Sequence, residues 1–463
     1  AAFEALMNGE DTKDQIAGIW FEKEYTRTYP YNSLASAMIG FANATTGVIG
    51  LENQYNDTLN GTNGRSYGYL NADSNLEQTV IEPENGYSLV ATIDTNIQSI
   101  VESAILQANE EMKQETEGQA TGSNNTAVLV MDPQNGDVLA MASYPNFDLN
   151  NPKDLSAYFT EEELAGMSDE DKMNQLNKLW QNYTISNTFE PGSTFKPITV
   201  AACLDEGKAS RKSTYVCDGG QQVADRYIKC VANRYGGHGA LSLGQALMVS
   251  CNDVMMQISA KLGKEKFLDY MDAFGIGRKT GIDLPGEATG TVFNNDTMHS
   301  TQLATSSFGQ SQTVTMVQMA AAFSAIVNGG NYYRPHVVEE VSSESGAVIQ
   351  SEDDAVESKV ITEKTSRLLR KFLLATVEEG TANPASVKGY KVGGKTGTAE
   401  KIPRGQGKYL VSFIGCVPAN NPKLVVYTVI DEPNVEDQAH STYATEFTSS
   451  LLKDILPMLE IYP

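Results

Sequence analysis

Three short motifs in a fixed order constrain this chain more than anything else in it: Ser193-Thr194-Phe195-Lys196, then Ser250-Cys251-Asn252, then Lys395-Thr396-Gly397-Thr398. Together they supply a hydroxyl nucleophile with an amine one turn away, a second hydroxyl to relay a proton, and a cationic strand for an anionic substrate. That is the parts list of a serine acyl-transfer enzyme. Alone, each is weak: an S-x-x-K arises by chance about once in a chain this long. The order and the local context carry the argument, and they require distant segments to meet at one point.

Each context fits. Pro191-Gly192-Ser193 is a loop-to-helix entry, which turns Ser193 and Lys196 the same way. A helix start favours an oxyanion at Ser193. To act as a base, Lys196 needs a lowered pKa, from burial or a neighbouring cation, with Lys395 the candidate. Read alone, the segment is an N-cap serine and a surface lysine. Ser250-Cys251-Asn252 ends one helix and precedes another, where a hydroxyl can protonate a leaving amine and an amide can hold a carbonyl or the lysine. Read alone, it is a capping turn. Val392–Glu400 reads as a strand with small residues, Gly397 among them, where another chain comes close. The Lys395 amine and the hydroxyls of Thr396 and Thr398 suit a carboxylate, and the strand edge can pair with an extended peptide. A phosphate loop, G-x-x-x-x-G-K-[ST], is set aside, because the earlier Gly is read as missing, with Val387-Lys388 in its place, and no helix clearly follows Lys395.

The chain has 463 residues, 41% of them apolar, enough for two or three domains with a large core. Its formal net charge of −24 argues against a nucleic-acid partner. No apolar run reaches the ~20 residues of a membrane span. Asn-x-Ser/Thr sequons such as Asn43-Ala44-Thr45 read as chance. Of five cysteines, Cys203 and Cys416 lie in apolar runs and read as buried. Cys217, Cys230 and Cys251 gather around the second motif, with His238 in Gly236-Gly-His-Gly239. Three thiolates and an imidazole are a structural zinc set, though the spacing is looser than a zinc finger's. The alternative is a Cys217–Cys230 disulfide, natural outside the cytoplasm.

Residues 1–88, rich in Asn, Gly, Tyr and Thr, read as a small separate region, with turns at Asn60-Gly61 and Asn63-Gly64. A strand at Tyr87–Asp94, a helix from Thr95 to about Lys113 and a polar loop over 115–125 open the larger unit. Thr126–Met131 and Asp137–Ser143 form a hairpin whose turn relies on Asn135-Gly136 for positive φ. The spacing predicts helical structure over 151–182, 198–206 (ending at Gly207) and 253–274. Capping boxes at Ser242/Gln245 and Thr315/Gln318 open two more helices. Strands follow at Tyr390–Gly394, Leu410–Val417 and Leu424–Ile430, then a helix at about Ala444–Leu459. Strands at both chain ends and helices between them predict an α+β fold: an antiparallel sheet flanked by helices, with a helical subdomain inserted.

On these motifs the chain resembles the class B penicillin-binding proteins, peptidoglycan D,D-transpeptidases. Arg27-Thr-Tyr-Pro-Tyr31, Gly47-Val-Ile-Gly-Leu-Glu52 and Leu59-Asn-Gly61 resemble the family's N-terminal pedestal. Ala91-Thr-Ile-Asp94 through Gln98, Asp132-Pro-x-x-Gly136, Glu190–Pro197, Phe308-Gly-Gln310 and Lys395–Glu400 resemble its transpeptidase domain. The resemblance implies a pedestal at 1–88 and a penicillin-binding/serine β-lactamase-like domain at 89–463. It implies that Ser193 attacks the penultimate D-Ala carbonyl of a stem peptide, with Lys196 as base and Ser250 as proton shuttle. The backbone N–H groups of Ser193 and Thr398 would form the oxyanion hole. Asn252 would bind the substrate amide, and Lys395, Thr396, Gly397 and Thr398 its carboxylate. β-Lactams would acylate the serine, and acyl transfer itself would need no cofactor.

The resemblance further implies a cell-wall glycosyltransferase partner from the division or elongation machinery, and a place on the extracytoplasmic face of the membrane. The family's Arg-Gly-x-Ile-x-Asp-Arg segment is missing, which implies an anchoring helix and part of the pedestal ahead of residue 1. A cysteine inside S-x-N, as here, is similar to a zinc-containing elongation- or sporulation-type subgroup, with Cys217, Cys230, His238 and Cys251 as ligands. The competing readings are a serine β-lactamase, which needs a placed general base such as Glu, and a β-lactam sensor that is acylated without turnover.

Overall fold

The computed structural model describes residues 26–70, 76–115, 121–352 and 355–463. The first 25 positions of the expected pedestal, and the first half of the 115–125 loop, therefore lie outside the described residues.

Its centre is a five-stranded antiparallel sheet of β1 (Ser123–Met131), β2 (Val138–Tyr144), β3 (Gly393–Glu400), β4 (Tyr409–Val417) and β5 (Leu424–Pro433), in the order β3-β4-β5-β1-β2. Strands from both ends of the chain meet where β5 pairs β1, with Val425 opposite Met131 and Asp431 opposite Asn125. The reason is visible in the residues. The β5 run Leu424–Ile430 and the β1 run Thr126–Met131 are buried throughout, which suits strands covered on both faces. Alternate side chains feed two separate cores. Leu129, Met131, Tyr427 and Val429 face the helical lobe. Val128, Val130, Val426 and Ile430 face helices α1 (Thr95–Glu115) and α6 (Thr442–Met458).

The helical lobe packs α2 (Lys196–Asp205), α3 (Leu243–Met248), α4 (Asn252–Leu262) and α5 (Glu363–Glu378) around the Met316–Val327 helix. Every residue of that last helix is buried, as expected of a helix apolar all round. Both predicted capping boxes form. Gly207, at φ 66°, sits just past the end of α2 and bonds back to Leu204 O.

Several boundaries differ from the sequence reading. The 253–274 helix is two helices, α4 and Lys264–Ala273, broken at Gly263 with φ 86°. Residues 151–160 are turns, and helix is confined to Glu161–Gly166 and Asp169–Leu179, each with a serine or threonine N-cap. The strand near 390 begins at Gly393. In the β1–β2 turn only Gly136 takes positive φ, while the Asn135 side chain bonds Asp137 instead. The strand after Tyr87 is short, Ser88–Ala91, and pairs with Val338–Ser342 outside the main sheet.

Before it, residues 26–70 and 76–87 form short helices and a hairpin, Arg65–Leu70 with Leu76–Ile81. Here the pedestal-like motifs meet: Arg27 and Tyr29 both bond the buried Glu52 carboxylate, Arg27 Nε at 3.0 Å and Tyr29 OH at 3.3 Å. Among the described residues no helix is long and apolar enough to cross a membrane.

Candidate active site

The three motifs converge. Ser193 lies in a 3-10 turn, Gly192–Phe195, that runs directly into α2, and Lys196 is the first residue of that helix. Phe195 and Ile198 sink into the helical core, and this fixes the turn. Gly192 seats it against β3: a Cβ there would stand 3.1 Å from Thr398 O and 3.6 Å from Thr398 N. The backbones of Ser193 and Thr398, the two expected oxyanion donors, are therefore neighbours. Gly397 is required by the same contact, because a Cβ on it would lie 2.4 Å from Ser412 Oγ and 3.0 Å from Pro191 O.

Ser250 sits between α3 and α4 in the left-handed region, at φ 58°. A non-glycine residue there is strained and has to be held by its surroundings. Lys196 Nζ holds it, donating to Ser250 O at 2.6 Å and to Ser250 Oγ at 3.0 Å. Ser250 Oγ in turn reaches Ser193 Oγ at 3.0 Å. Lys196 thus reaches Ser193 through Ser250, a chain the sequence had not specified. Asn252 opens α4, and among the described residues its side-chain amide has no hydrogen-bond partner.

Both lysines are fully buried. Burial pulls the Lys196 amine from 10.5 down to about 7, against an opposing pull from Cys251 and Cys230. Burial also pushes Lys395 well below its usual range, with the charge of Lys196 adding to it. This corrects the expectation that Lys395 is the cation that lowers Lys196. Lys395 Nζ bonds the backbone carbonyl and the hydroxyl of Thr396, each at 3.2 Å. Thr398 is half-buried on the same strand.

Gly389 to Thr396 does spell out G-x-x-x-x-G-K-[ST] in full. Gly393–Glu400 is nonetheless a strand paired with β4 and not the entry to a helix, so the phosphate-loop geometry is absent.

Next to the Ser250 turn lie Cys217, Cys230, His238 and Cys251, their donor atoms all within 4.8 Å of one another. Strands Thr214–Cys217 and Gly239–Ser242 pair with Cys217 opposite Gly239, which brings His238 beside Cys217. The Gly220–Val223/Arg226–Lys229 hairpin returns the chain to Cys230. Gly237, at φ 98°, is required by this crowding: a Cβ would stand 2.2 Å from Cys217 O. His238 Nδ1 lies 3.5 Å from Cys217 Sγ and 3.7 Å from Cys230 Sγ, and Cys230 and Cys251 sulfurs are 3.8 Å apart.

A tetrahedron with Zn–S bonds of about 2.3 Å has S···S edges of about 3.8 Å, so the donor set fits zinc. Cys230 is held toward the thiolate by the Cys251 thiol and by N–H groups of Ala232, Asp253 and Asn252. Backbone donors of this kind suit a metal-bound sulfur. All five cysteines are free thiols, so the Cys217–Cys230 disulfide does not form, and Cys203 and Cys416 are buried as expected.

Two supports escaped the sequence reading. The Glu190 carboxylate accepts from Arg404 Nη2 and from Ser311 N, at 2.8 and 2.7 Å, which clasps the β3–β4 loop to the segment leading into Ser193. Asp253 accepts from Gln221 and Gln257 amides at 2.7 and 2.8 Å, tying α4 to the hairpin. Glu190 stood inside a quoted motif, but no sequence signal pairs it with Arg404.

Residues 126–453 match the penicillin binding protein transpeptidase domain, and 20–76 the penicillin binding protein A dimerisation domain. Stage V sporulation protein D of Bacillus subtilis is 35% identical over 97% of this chain and 66% of its own length. The probable peptidoglycan D,D-transpeptidase PenA of Neisseria gonorrhoeae is 28% identical over 94% of this chain and 68% of its own. The chain thus spans about two thirds of these relatives. Penicillin-binding protein 3 of Mycobacterium tuberculosis, solved also with aztreonam and with ampicillin, superposes with a TM-score of 0.77 at 25% identity, covering 94% of this chain and 91% of the apo structure.

Proposed function

Because the chain belongs to the penicillin-binding protein transpeptidase family, we propose that it is a serine D,D-transpeptidase that cross-links peptidoglycan stem peptides and is acylated by β-lactams. The observation that carries this reading is the hydrogen-bonded line Lys196–Ser250–Ser193 on the edge of β3.

In the proposed reaction Ser193 Oγ attacks the penultimate D-Ala carbonyl. With both hydroxyl hydrogens rotated, its proton passes to Ser250 Oγ while the Ser250 proton passes to neutral Lys196. The Ser193 and Thr398 N–H groups hold the oxyanion. Ser250 then delivers the proton to the departing D-Ala, which leaves an acyl-enzyme. An acceptor amine from a second stem peptide loses its proton along the same line and resolves the ester. Asn252 holds the substrate amide, and Thr396 and Thr398 the terminal carboxylate. Gly397 allows the close approach, and Lys395 supports from beneath, since an arriving carboxylate favours its charged form.

Zn²⁺ at Cys217, Cys230, His238 and Cys251 would supply structure, not chemistry, by pinning the 217–238 loop to the catalytic turn. We take residues 1–88 as pedestal and 89–463 as the transpeptidase unit, working at the extracytoplasmic face of the membrane. A cell-wall glycosyltransferase is the proposed protein partner.

Turnover of a D-Ala-D-Ala stem peptide with a D-amino acid acceptor tests the assignment. Transfer product is expected. Rapid β-lactam hydrolysis would make it a β-lactamase, and one-time labelling without transfer a sensor.

A further inference from the structure

Two clefts of about 500 and 540 Å³ lie on either side of the C-terminal turn of the Asp169–Leu179 helix. They share Lys178 and Gln181, so they adjoin. One opens toward the 37–53 segment, and the other toward the start of β1. Their lining is chemically unusual for this chain. Of 58 acidic residues in a protein of net charge −24, neither cleft contains one, and Lys178 is the single cation in both. Side-chain amides replace the acids, among them Asn53, Asn124, Asn177, Gln175 and Gln181. Aromatic rings wall the clefts: Trp180 in one, Tyr158 and Phe159 in the other. Trp180 is held by a 2.7 Å bond from Nε1 to Pro152 O and by an edge contact with Phe41, centroids 5.1 Å apart.

We propose that this groove binds the glycan backbone of peptidoglycan, the N-acetylated aminosugar chain that carries the stem peptides. The proposal rests on the transpeptidase reading above for its source of ligand. The chemistry on the groove itself selects the class. Amides pair with hydroxyl and acetamido groups as both donors and acceptors. Aromatic faces cover the apolar faces of sugar rings. The Lys178 ammonium can donate to sugar hydroxyl or acetamido oxygens without requiring an anionic ligand. A nucleic acid or an anionic membrane would call for many cations, and a stem peptide for paired charges.

The placement is also suitable. Asn187, six residues upstream of Ser193, is part of the lining. The wall residue Asn124 bonds Asp431 at 2.7 Å, and Asp431 holds Lys401, the residue after β3, at 2.7 Å.

Lys178 and Gln181 are exposed, so their substitution leaves the core intact. Calorimetric titration with peptide-free glycan strands, released from peptidoglycan by an amidase, should show saturable binding. The Lys178→Glu/Gln181→Ala variant should weaken it about tenfold. Penicillin acylation at Ser193 should stay at the parental rate in both proteins. Absence of saturable binding, or equal affinity in the variant, overturns the glycan site. Binding confined to strands that keep their peptides also overturns it, since that points to the β3 edge. Failure of penicillin to acylate the parent protein is a separate readout, and would count against the transpeptidase reading instead.

Discussion

The catalytic line and the sulfur cluster meet at consecutive residues, Ser250 and Cys251, yet they are held in opposite ways. Ser193 and Lys196 stand on a helix whose Phe195, Ile198 and Val200 are deep in the core, and β3 is locked in register with β4 over its whole length. The Thr214–Ser242 segment consists of four-residue strands and a 3-10 turn, with exposed side chains such as Val216, Tyr227 and Tyr235. It has few apolar contacts to stabilise it, and ribbons that small are marginal alone. The first region is built by packing, and the second gathers its four sulfur and imidazole groups with little packing around them. Ser250, strained at positive φ, belongs to both, so the cluster is where catalytic geometry can be loosened without touching a catalytic residue.

The largest effect should come from the packed side. Lys196→Ala removes the base and also two of the bonds holding the Ser250 turn, so penicillin acylation should fall by about 10²–10⁴-fold in stopped-flow assays. A fall of only a fewfold would mean that another group takes the proton. The same lysine sets the pH response. A base must be neutral, and burial brings Lys196 to about 7, so acylation should rise roughly tenfold per unit below that point and level off above it. A flat profile between pH 5 and 9 would count against the relay.

On the sulfur side, His238→Ala should lose about one zinc per chain, lower the melting temperature and slow acylation about tenfold through the Ser250 turn. Zinc loss with full acylation speed would separate the two regions and break the comparison. The smallest effect belongs to the clasp. Glu190→Gln should cost a fewfold in acylation, because Arg404 is partly exposed and such pairs contribute about 1 kcal/mol or less. A loss above about 100-fold would place Glu190 in the chemistry itself.

What could be read beforehand follows the same divide. Local signals sufficed where one segment decides its own structure: both capping boxes, the apolar runs of β1 and β5, and Gly207 after α2. The three motifs were legible because chemistry restricts the residue types at fixed spacings. That Cys217, Cys230, His238 and Cys251 gather in one place was legible because histidine is scarce here and one of the few lies between Cys230 and Cys251. The left-handed Ser250, the route from Lys196 through it, and the Arg404–Glu190 clasp were not legible. Each depends on how distant segments pack, and no local pattern encodes that. The role first given to Lys395 failed for a related reason. Sequence shows two cations converging, but only the fold shows that both are fully buried and that burial, not Lys395, is what lowers Lys196.

The central claim is that Ser193, poised by Ser250 and Lys196, is the acylated nucleophile. Intact-mass and peptide-mapping analysis after penicillin treatment tests it most directly. A single long-lived adduct on the peptide bearing Ser193, absent in Ser193→Ala, is the predicted result. An adduct that persists at an equal rate in Ser193→Ala, or one that maps to Ser250, would contradict it.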